Sequence, residues 1–446
     1  MSTASVVSTL PLRADRDFRR YWWARVVSVT GTVVTTVALP VLVYRLTGSP
    51  GLTALTTTLE ALPYLLVGLV AGAVADRVDR RRLMVAADLV NVVVVGSVPL
   101  AWFLGHLTVP HVLVTAFLVQ TVFTFYDGAN FGALPVLVGT ARVADANAAV
   151  WSVGGVVDLV GPAAAGAVLA VLHPAELLVV DAASYAVSAV LVARIGRPLS
   201  RTRERRGGRA AVVGEVREGL GFLWRHTGVR TLTFMGTLQS AAGGGFMALF
   251  VPWSDRVLGI GTSGWRFGLV YSVWGIGGVA AATASARLQR RLGATRVCLL
   301  AMPLSAAAGI AATLTRSWVV AALVLVAWGV AYQLVLVASI TYRQTVTPEH
   351  LLSRVNTTAR MLAWGVGWSL GAVAAGALAG GLGVQRTMLV LACASVLAAL
   401  LGWLSPLRSG DPHDRAERAG RADGSPDDHL VGAPDGSPRG AESMDA

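Results

Sequence analysis

The sequence predicts an all-α integral membrane protein with twelve transmembrane helices in two pseudo-symmetric six-helix bundles. Three observations lead there. Hydrophobic residues make up 54% of the 446 residues and charged residues only 14%, a balance that cannot keep apolar surface out of water as separate soluble domains. Many stretches reach the roughly 20 apolar residues that a bilayer-crossing helix needs. The chain also repeats itself: Gly68, Arg77, Arg80 and Arg81 recur as Gly278, Arg287, Arg290 and Arg291, each 210 positions later. Asn147 recurs as Asn356 after 209 positions, each opening a Gly/Ala-rich span.

Residues 1–20 carry Arg13, Arg16, Arg19 and Arg20 ahead of a long apolar run. That run, 21–46, exceeds the short apolar core of a cleaved signal peptide and is read as the first span. Spans at 53–75, 83–104, 110–137, 146–171 and 175–194 complete an N-terminal bundle over 21–194. A basic linker, 195–228, carries no signal of a folded unit. Spans at 229–255, 265–286, 295–315, 318–342, 355–380 and 384–405 form the C-terminal bundle, 229–405. The polar tail 406–446 is too poor in apolar residues to fold.

Arginine placement sets the orientation. One side holds the N-terminus, Arg77 to Arg82, Arg142, the ten arginines of 194–230, Arg287 to Arg296 and Arg343 to Arg360. The other side holds Arg45, Arg256, Arg266, Arg316 and Arg386. The positive-inside tendency then puts both termini and the linker in the cytoplasm of a cell-membrane protein, and the tryptophans near span ends agree as interfacial anchors.

Net charge is +12, and all 37 basic side chains are arginine. Without lysine there is no Walker A loop and no Schiff-base chemistry. The glycine-rich runs lie inside apolar spans, so phosphate cradling is excluded as well. Two cysteines, Cys298 and Cys393, sit in apolar surroundings and imply neither a disulfide framework nor a metal site. No histidine pairs with a nucleophile. The expectation is no enzyme, no cofactor, no metal and no nucleic-acid partner.

The loop after the second span holds Gly72, Asp76, Arg77, Arg80 and Arg81. Asp76 falls at the membrane boundary beside basic neighbours, an arrangement suited to a clamp between helices. The fifth span carries Gly161, Pro162 and Gly166, small residues that allow close helix approach around a proline that permits a bend. Gly243 to Gly245 sit midway along the seventh span, as a hinge or a close-packing site. Acids at bilayer depth cost ~3 kcal/mol upward and persist where function or pairing requires them. The five here are Glu60, Asp88, Asp127, Asp158 and Asp181, all in the first half. Asp158, one turn from Gly161, is the first choice for proton coupling, followed by Glu60 and Asp181. Asp88 and Asp127 are expected to pair with Arg77 to Arg82, and Arg25 to serve one of the acids or reach the surface. In the second half Trp274, Trp328, Tyr332, Trp364 and Trp368 offer aromatic faces, which attract cations.

Twelve spans, the duplication and the Gly72-to-Arg81 pattern resemble the major facilitator superfamily. Gly161-Pro162-Ala-Ala-Ala-Gly166 resembles the Gly-Pro motif of its drug/proton antiporter branch. The segment Arg343 to Asn356 is similar to the tenth-to-eleventh linker of actinobacterial exporters, themselves like enterobactin-exporter and macrolide-efflux relatives. The resemblance covers about residues 15–405. It implies an alternating-access exporter of a small organic molecule driven by protons, with Asp76 facing the eleventh span as a gate and the Gly-Pro motif sealing against proton leak. The pattern departs in places: Asp79 replaces the usual Gly, Ala286 stands opposite Asp76 in the second copy, and Gly31-Thr32 lacks the acid common in the first span. A monomer working with substrate, protons and the lipid bilayer is expected. An importer or facilitator of the same fold, or a membrane sensor using the linker or tail, are the alternatives.

Overall fold

The computed structural model describes residues 11–139, 142–200 and 209–409; the predicted tail beyond 409 lies outside them. Every element among them is helical. The first half comprises α1 (Arg16–Thr47), α2 (Pro50–Ala75), α3 (Arg80–Phe103), α4 (Val109–Val138), α5 (Val143–Val168) and α6 (Pro174–Ala193). After α7 (Arg209–Arg225) come α8 (Thr227–Ala248), α9 (Phe250–Arg256), α10 (Gly264–Leu292), α11 (Ala294–Leu314), α12 (Trp318–Val346) and α13 (Glu349–Arg360). A π-helical stretch, Met361–Trp368, leads into α14 (Ser369–Leu382) and α15 (Val384–Leu404).

Nine of these helices and the continuous stretch Arg354–Leu382 are long and apolar enough to cross a membrane, ten in all, and the bent pair α8–α9 makes eleven. α2, 26 residues long, runs beside α4 and α14. The helices meet at two ends. One carries the arginine clusters of 77–82, 194–197, 287–296 and 343–360. The opposite end carries the turns at 47–49, 104–108, 169–173 and 256–263.

The expected boundaries change in four places. α1 begins at Arg16 rather than 21, because Asp15 caps it by accepting from Asp17 and Phe18 N–H. Asp15 and Asp17 also hold the start of the linker. Both pair with Arg197, and Asp17 accepts from the N–H of Gly196 and Arg197 at 3.0 and 2.9 Å. The linker carries no signal of a folded unit, yet it contains α7, which buries Leu223 and packs on α13. The seventh span breaks by 52° between α8 and α9, where Pro252 cannot donate to the preceding turn. The eleventh span is interrupted by the π-helical stretch, a rare geometry that concentrates at functional sites.

α1 packs on α5 and α6, α3 on α4 and α6, and α2 on α4; in the second half α12 packs on α10 and α11, and α8 on α14 and α15. The halves interlock through α5 with α10 and α2 with α14. These pair the segments expected as the fifth and eighth spans and those expected as the second and eleventh, the exchange expected of a chain made of two facing copies.

Candidate functional site

The Gly72-to-Arg81 loop is built by caps. Asp76 ends α2, and Asp79 begins α3 by accepting from Arg82 N–H at 2.9 Å. Asp79 has φ −64°, so the turn here requires no glycine. Arg80 Nη2 meets Asp76 Oδ1 at 3.2 Å, with Asp76 exposed and Arg80 nearly buried. The guanidinium lies on Gly132 of α4, where a Cβ would collide with it, and donates to the Gly132 carbonyl at 2.9 Å. Arg81 donates to the Arg197 carbonyl at 2.5 Å. Arg77 is exposed and Gly72 has open space beside it. The loop arginines thus bind α3 to α4 and to the start of the linker, all within the first half.

The Gly161-Pro162-Gly166 element forms one of the contacts between the halves. A Cβ on Gly166 would stand 2.6 Å from the Gly268 Cα of α10, and one on Gly268 would stand 2.7 Å from the Ala163 carbonyl. A Cβ on Gly161 would stand 2.7 Å from Val33 Cγ1 of α1. Glycine on both partners is what lets these backbones touch. Polar groups add to the closure at the opposite end. Tyr44 donates to Asp255 Oδ2 at 2.9 Å and accepts from Arg256 Nε at 2.9 Å. Arg256 also reaches the Gly48 carbonyl at 2.5 Å, and Arg45 donates to Thr262 at 3.1 Å.

Asp158 sits where that closure ends. Asp158, Pro162, Ala165 and Leu169 share one face of α5 (i, i+4, i+7, i+11). Pro162, Ala165 and Leu169 are buried while the Asp158 side chain is exposed. Its carbonyl approaches Gly275 of α10, next to Trp274. With its backbone against α10 and its side chain exposed, the acid marks a fork between α5 and α10. Glu60 of α2 makes no hydrogen bond among the described residues and lies within electrostatic reach of Tyr271 on α10.

The other acids lie elsewhere, and Asp88 and Asp127 differ from expectation. Asp181 does not line the fork: it is 0% exposed, accepts from Thr35 and Ser184, and packs against Gly31. Asp88 and Asp127 do not pair with the loop arginines. Asp88 is buried near Arg25 and Ser188, and Asp127 lies near Arg25 and accepts from Tyr64 at 3.4 Å. Arg25 stays inside, over the Tyr126 ring at 5.7 Å.

The five aromatics fall into two groups. Trp274, Trp328 and Tyr332 form one cluster with ring centroids 4.6 and 5.3 Å apart from Trp274. Trp328 is fully buried, its indole N–H donating to Ser305 at 3.2 Å, so it packs in the interior of the second half. Trp364 and Trp368 stack in parallel at 5.7 Å within the π-helical stretch, with Trp364 half exposed. Gly243 lies between the Tyr332 and Trp368 rings, Gly244 against the Trp368 backbone and Gly245 against Leu391. The triple glycine is a close-packing site joining the two groups.

Sequence reading missed a polar face on α1. Tyr21, Arg25, Ser28, Thr32 and Thr35 recur at helical spacing (i, i+4, i+7, i+11, i+14), and Asp181, Ser184 and Ser188 do the same on α6. Both patterns are visible in the sequence once hydroxyl groups are counted together with charges.

The model of the transmembrane secretion effector family matches residues 7–426. The multidrug efflux pump Tap of Mycolicibacterium fortuitum is 26% identical over 395 residues, covering 86% of this chain and 94% of the pump. Macrolide efflux protein A of Streptococcus pyogenes is 25% identical over 240 residues, 53% of this chain and 56% of that protein. Among solved structures, a mutant of the nucleoside transporter NupG superposes with a TM-score of 0.70 at 11% identity, over 87% of this chain and 99% of that one. A bacterial homologue of the iron transporter ferroportin, in an inward-facing state, gives 0.68 at 13% identity, over 88% and 98%. The chain belongs to the transmembrane secretion effector family of the major facilitator superfamily, and it is a multi-pass membrane transporter rather than an enzyme.

Proposed function

We propose that this transporter is a proton-driven exporter of small organic molecules, working by alternating access. In this reading α2 supplies a further crossing, the chain spans the membrane twelve times as two six-helix bundles, and both termini face the cytoplasm. The observation that carries the reading is the α5 face. Its glycines touch α10, and one turn away the same face carries an exposed acid, Asp158. That geometry supports a cavity closed at the opposite end and accessible from the arginine-rich, cytoplasmic end. Asp158 and Glu60 take the proton-coupling roles. Tyr332, Trp274, Trp364 and Trp368 supply an aromatic wall suited to an amphipathic or cationic substrate. Asp76 and Arg80 form the gate, whose exposed ion pair is worth under ~1 kcal/mol and can break during the cycle. The efflux activity named for both relatives supports export.

The test is transport of a macrolide and a cationic dye in proteoliposomes with an imposed pH gradient. Wild-type protein accumulates one of them against its gradient. Asp158→Asn reduces accumulation to the level of protein-free vesicles while leaving substrate exchange without a gradient in place. If Asp158→Asn and Glu60→Gln both leave coupling intact, the proton assignment is wrong.

A further inference from the structure

The interior of the first half holds a group of polar atoms with nothing to satisfy them. Asp88, Asn91, Tyr126 and Ser188 are each at most 2% exposed. Asp88 Oδ2, Asn91 Oδ1, the Tyr126 hydroxyl, Ser188 Oγ, and Arg25 Nε and Nη1 are buried without a hydrogen-bond partner. They come from α1, α3, α4 and α6, and those of Arg25, Asp88, Tyr126 and Ser188 lie together, with Asn91 one turn along α3 from Asp88. Ser188 stands close enough to interact with both Asp88 and Tyr126, and Arg25 with both Asp88 and Tyr126. None of these pairs forms a well-aligned direct hydrogen bond.

Leaving so many buried polar atoms unpaired would cost ~1–3 kcal/mol apiece, and neighbouring groups that do not bond directly are the ones a bridging water joins. A buried water makes about three hydrogen bonds, so about two waters satisfy all six atoms. Arg25 belongs both to this chamber of unpaired atoms and to the polar face of α1, so the two adjoin. Fourteen residues separate Tyr21 from Thr35, a rise of about 21 Å at 1.5 Å per residue. That face meets Asp181 at one end, and the Tyr21 hydroxyl donates to Asn130 at 2.5 Å at the other.

Arg25 is the only cation among the described groups in this chamber, and it lies between two acids. Asp88 is inside; Asp127 lies toward α2, where Tyr64 donates to it. The groups facing Asp88 are Arg25 of α1, Tyr126 of α4, and Asp181, Tyr185 and Ser188 of α6, while Tyr21 and Asp127 face Arg25. We infer that the chamber is a hydrated proton site internal to the first half, in which Asp88 binds the proton and Arg25 passes the change to Asp127. A hydronium ion in the chamber gives its proton to Asp88 Oδ2, forming one O–H bond and leaving water. The chamber then holds Arg25 without its counter-charge, and the guanidinium's attraction shifts to Asp127. The site is separate from Asp158 at the fork and rests on the proton-driven reading for its role in transport.

The experiment is attenuated-total-reflection infrared titration of the full chain in lipid, following the carboxylic acid C=O band. Wild-type protein shows a band that rises as pH falls. Asp88→Asn removes a component of it, and Arg25→Gln moves that component's midpoint by about one pH unit or more, the size of a charge–charge effect at close range. Ser188→Ala, which keeps both charges, retains the component. An unchanged band in Asp88→Asn, or a component indifferent to Arg25→Gln, overturns the proposal. The functional reading fails separately, if wild-type vesicles show no gradient-driven transport while the Asp88 band titrates.

Discussion

Gly31 is the residue on which the α1–α6 contact depends. A Cβ there would fall on Asp181 Oδ1 and Ser184 Oγ, and neither can retreat, because both are buried and hydrogen-bonded to each other. Gly31→Ala gains up to ~1 kcal/mol in helix propensity but overpacks a filled site at ~1–3 kcal/mol. The expected result is a lower thermal midpoint in detergent; an unchanged or higher midpoint would show that Asp181 moves freely. His173 gives a second test, outside the spans. It caps α6, accepting from Ala175 N–H at Nδ1 (3.2 Å) while Glu176 bonds back to its own N–H. Burial, and then Arg45, hold its pKa below the ordinary value. A depressed histidine pKa means that the unfolded chain takes the proton first. The stability it contributes is therefore present above about pH 6.5, the free value, and is lost as pH falls from there toward the folded pKa. His173→Asn keeps a capping side chain and removes this pH-dependent part; an identical stability–pH curve would refute it.

The helices carry a different kind of constraint, set by which backbones touch. Gly268→Leu would drive a side chain into the Ala163 and Pro162 carbonyls, which are backbone and cannot swing aside. In the proposed reading, parting α5 from α10 opens the seal beside Asp158. The expected outcome is faster dissipation of an imposed pH gradient in vesicles without substrate, read with a trapped pH dye; Gly278→Leu, with open space around it, leaves the rate at the wild-type value. The general course of these elements was legible in the sequence because apolar runs of membrane length have few other fates. The details that were not legible are tertiary. An apolar run does not show that Pro252 will split the seventh span, nor that the stretch holding Trp364 and Trp368 will form a π-helix. The linker reads as a charged connector, yet α7 is held by Leu223 and by Gly219, which closes on the Arg354 carbonyl; that carbonyl lies more than a hundred residues away. The candidate site was half legible. Type and rough position of the acids follow from the sequence. Sorting them into one at the fork, Asp158, and one sealed inside, Asp181, requires knowing which helix face meets which neighbour. Trp328 was misplaced for the same reason, since an indole in a span looks alike whether it faces a cavity or Ser305.

At the scale of the whole molecule, the two halves are tied at the opposite end by a small polar latch and by glycine contacts. The latch runs from Tyr44 through Asp255 and Arg256 to Gly48. Its three hydrogen bonds involve charged partners, each worth ~1.5–3 kcal/mol when formed away from bulk water and less where solvent competes. If the transporter exchanges between this arrangement and one open at the opposite end, the latch contributes to one state alone, and removing it shifts the balance by its differential worth. Tyr44→Phe with Asp255→Asn deletes the carboxylate and the bridging hydroxyl, and a loss of ~1–2 kcal/mol changes the population ratio about 5- to 30-fold. Spin labels report this directly. Leu104 and Leu382 are exposed at the opposite end on different halves, and Val78 and Leu292 at the arginine-rich end. In the double variant the Leu104–Leu382 distance distribution should gain a longer component as the Val78–Leu292 distribution gains a shorter one. The opposing signs matter, because loosening alone would lengthen both. A latch variant that broadens one pair without the reciprocal change in the other would mean that the two ends are not coupled, and that these bonds hold a static corner of the fold rather than one side of a rocking pair.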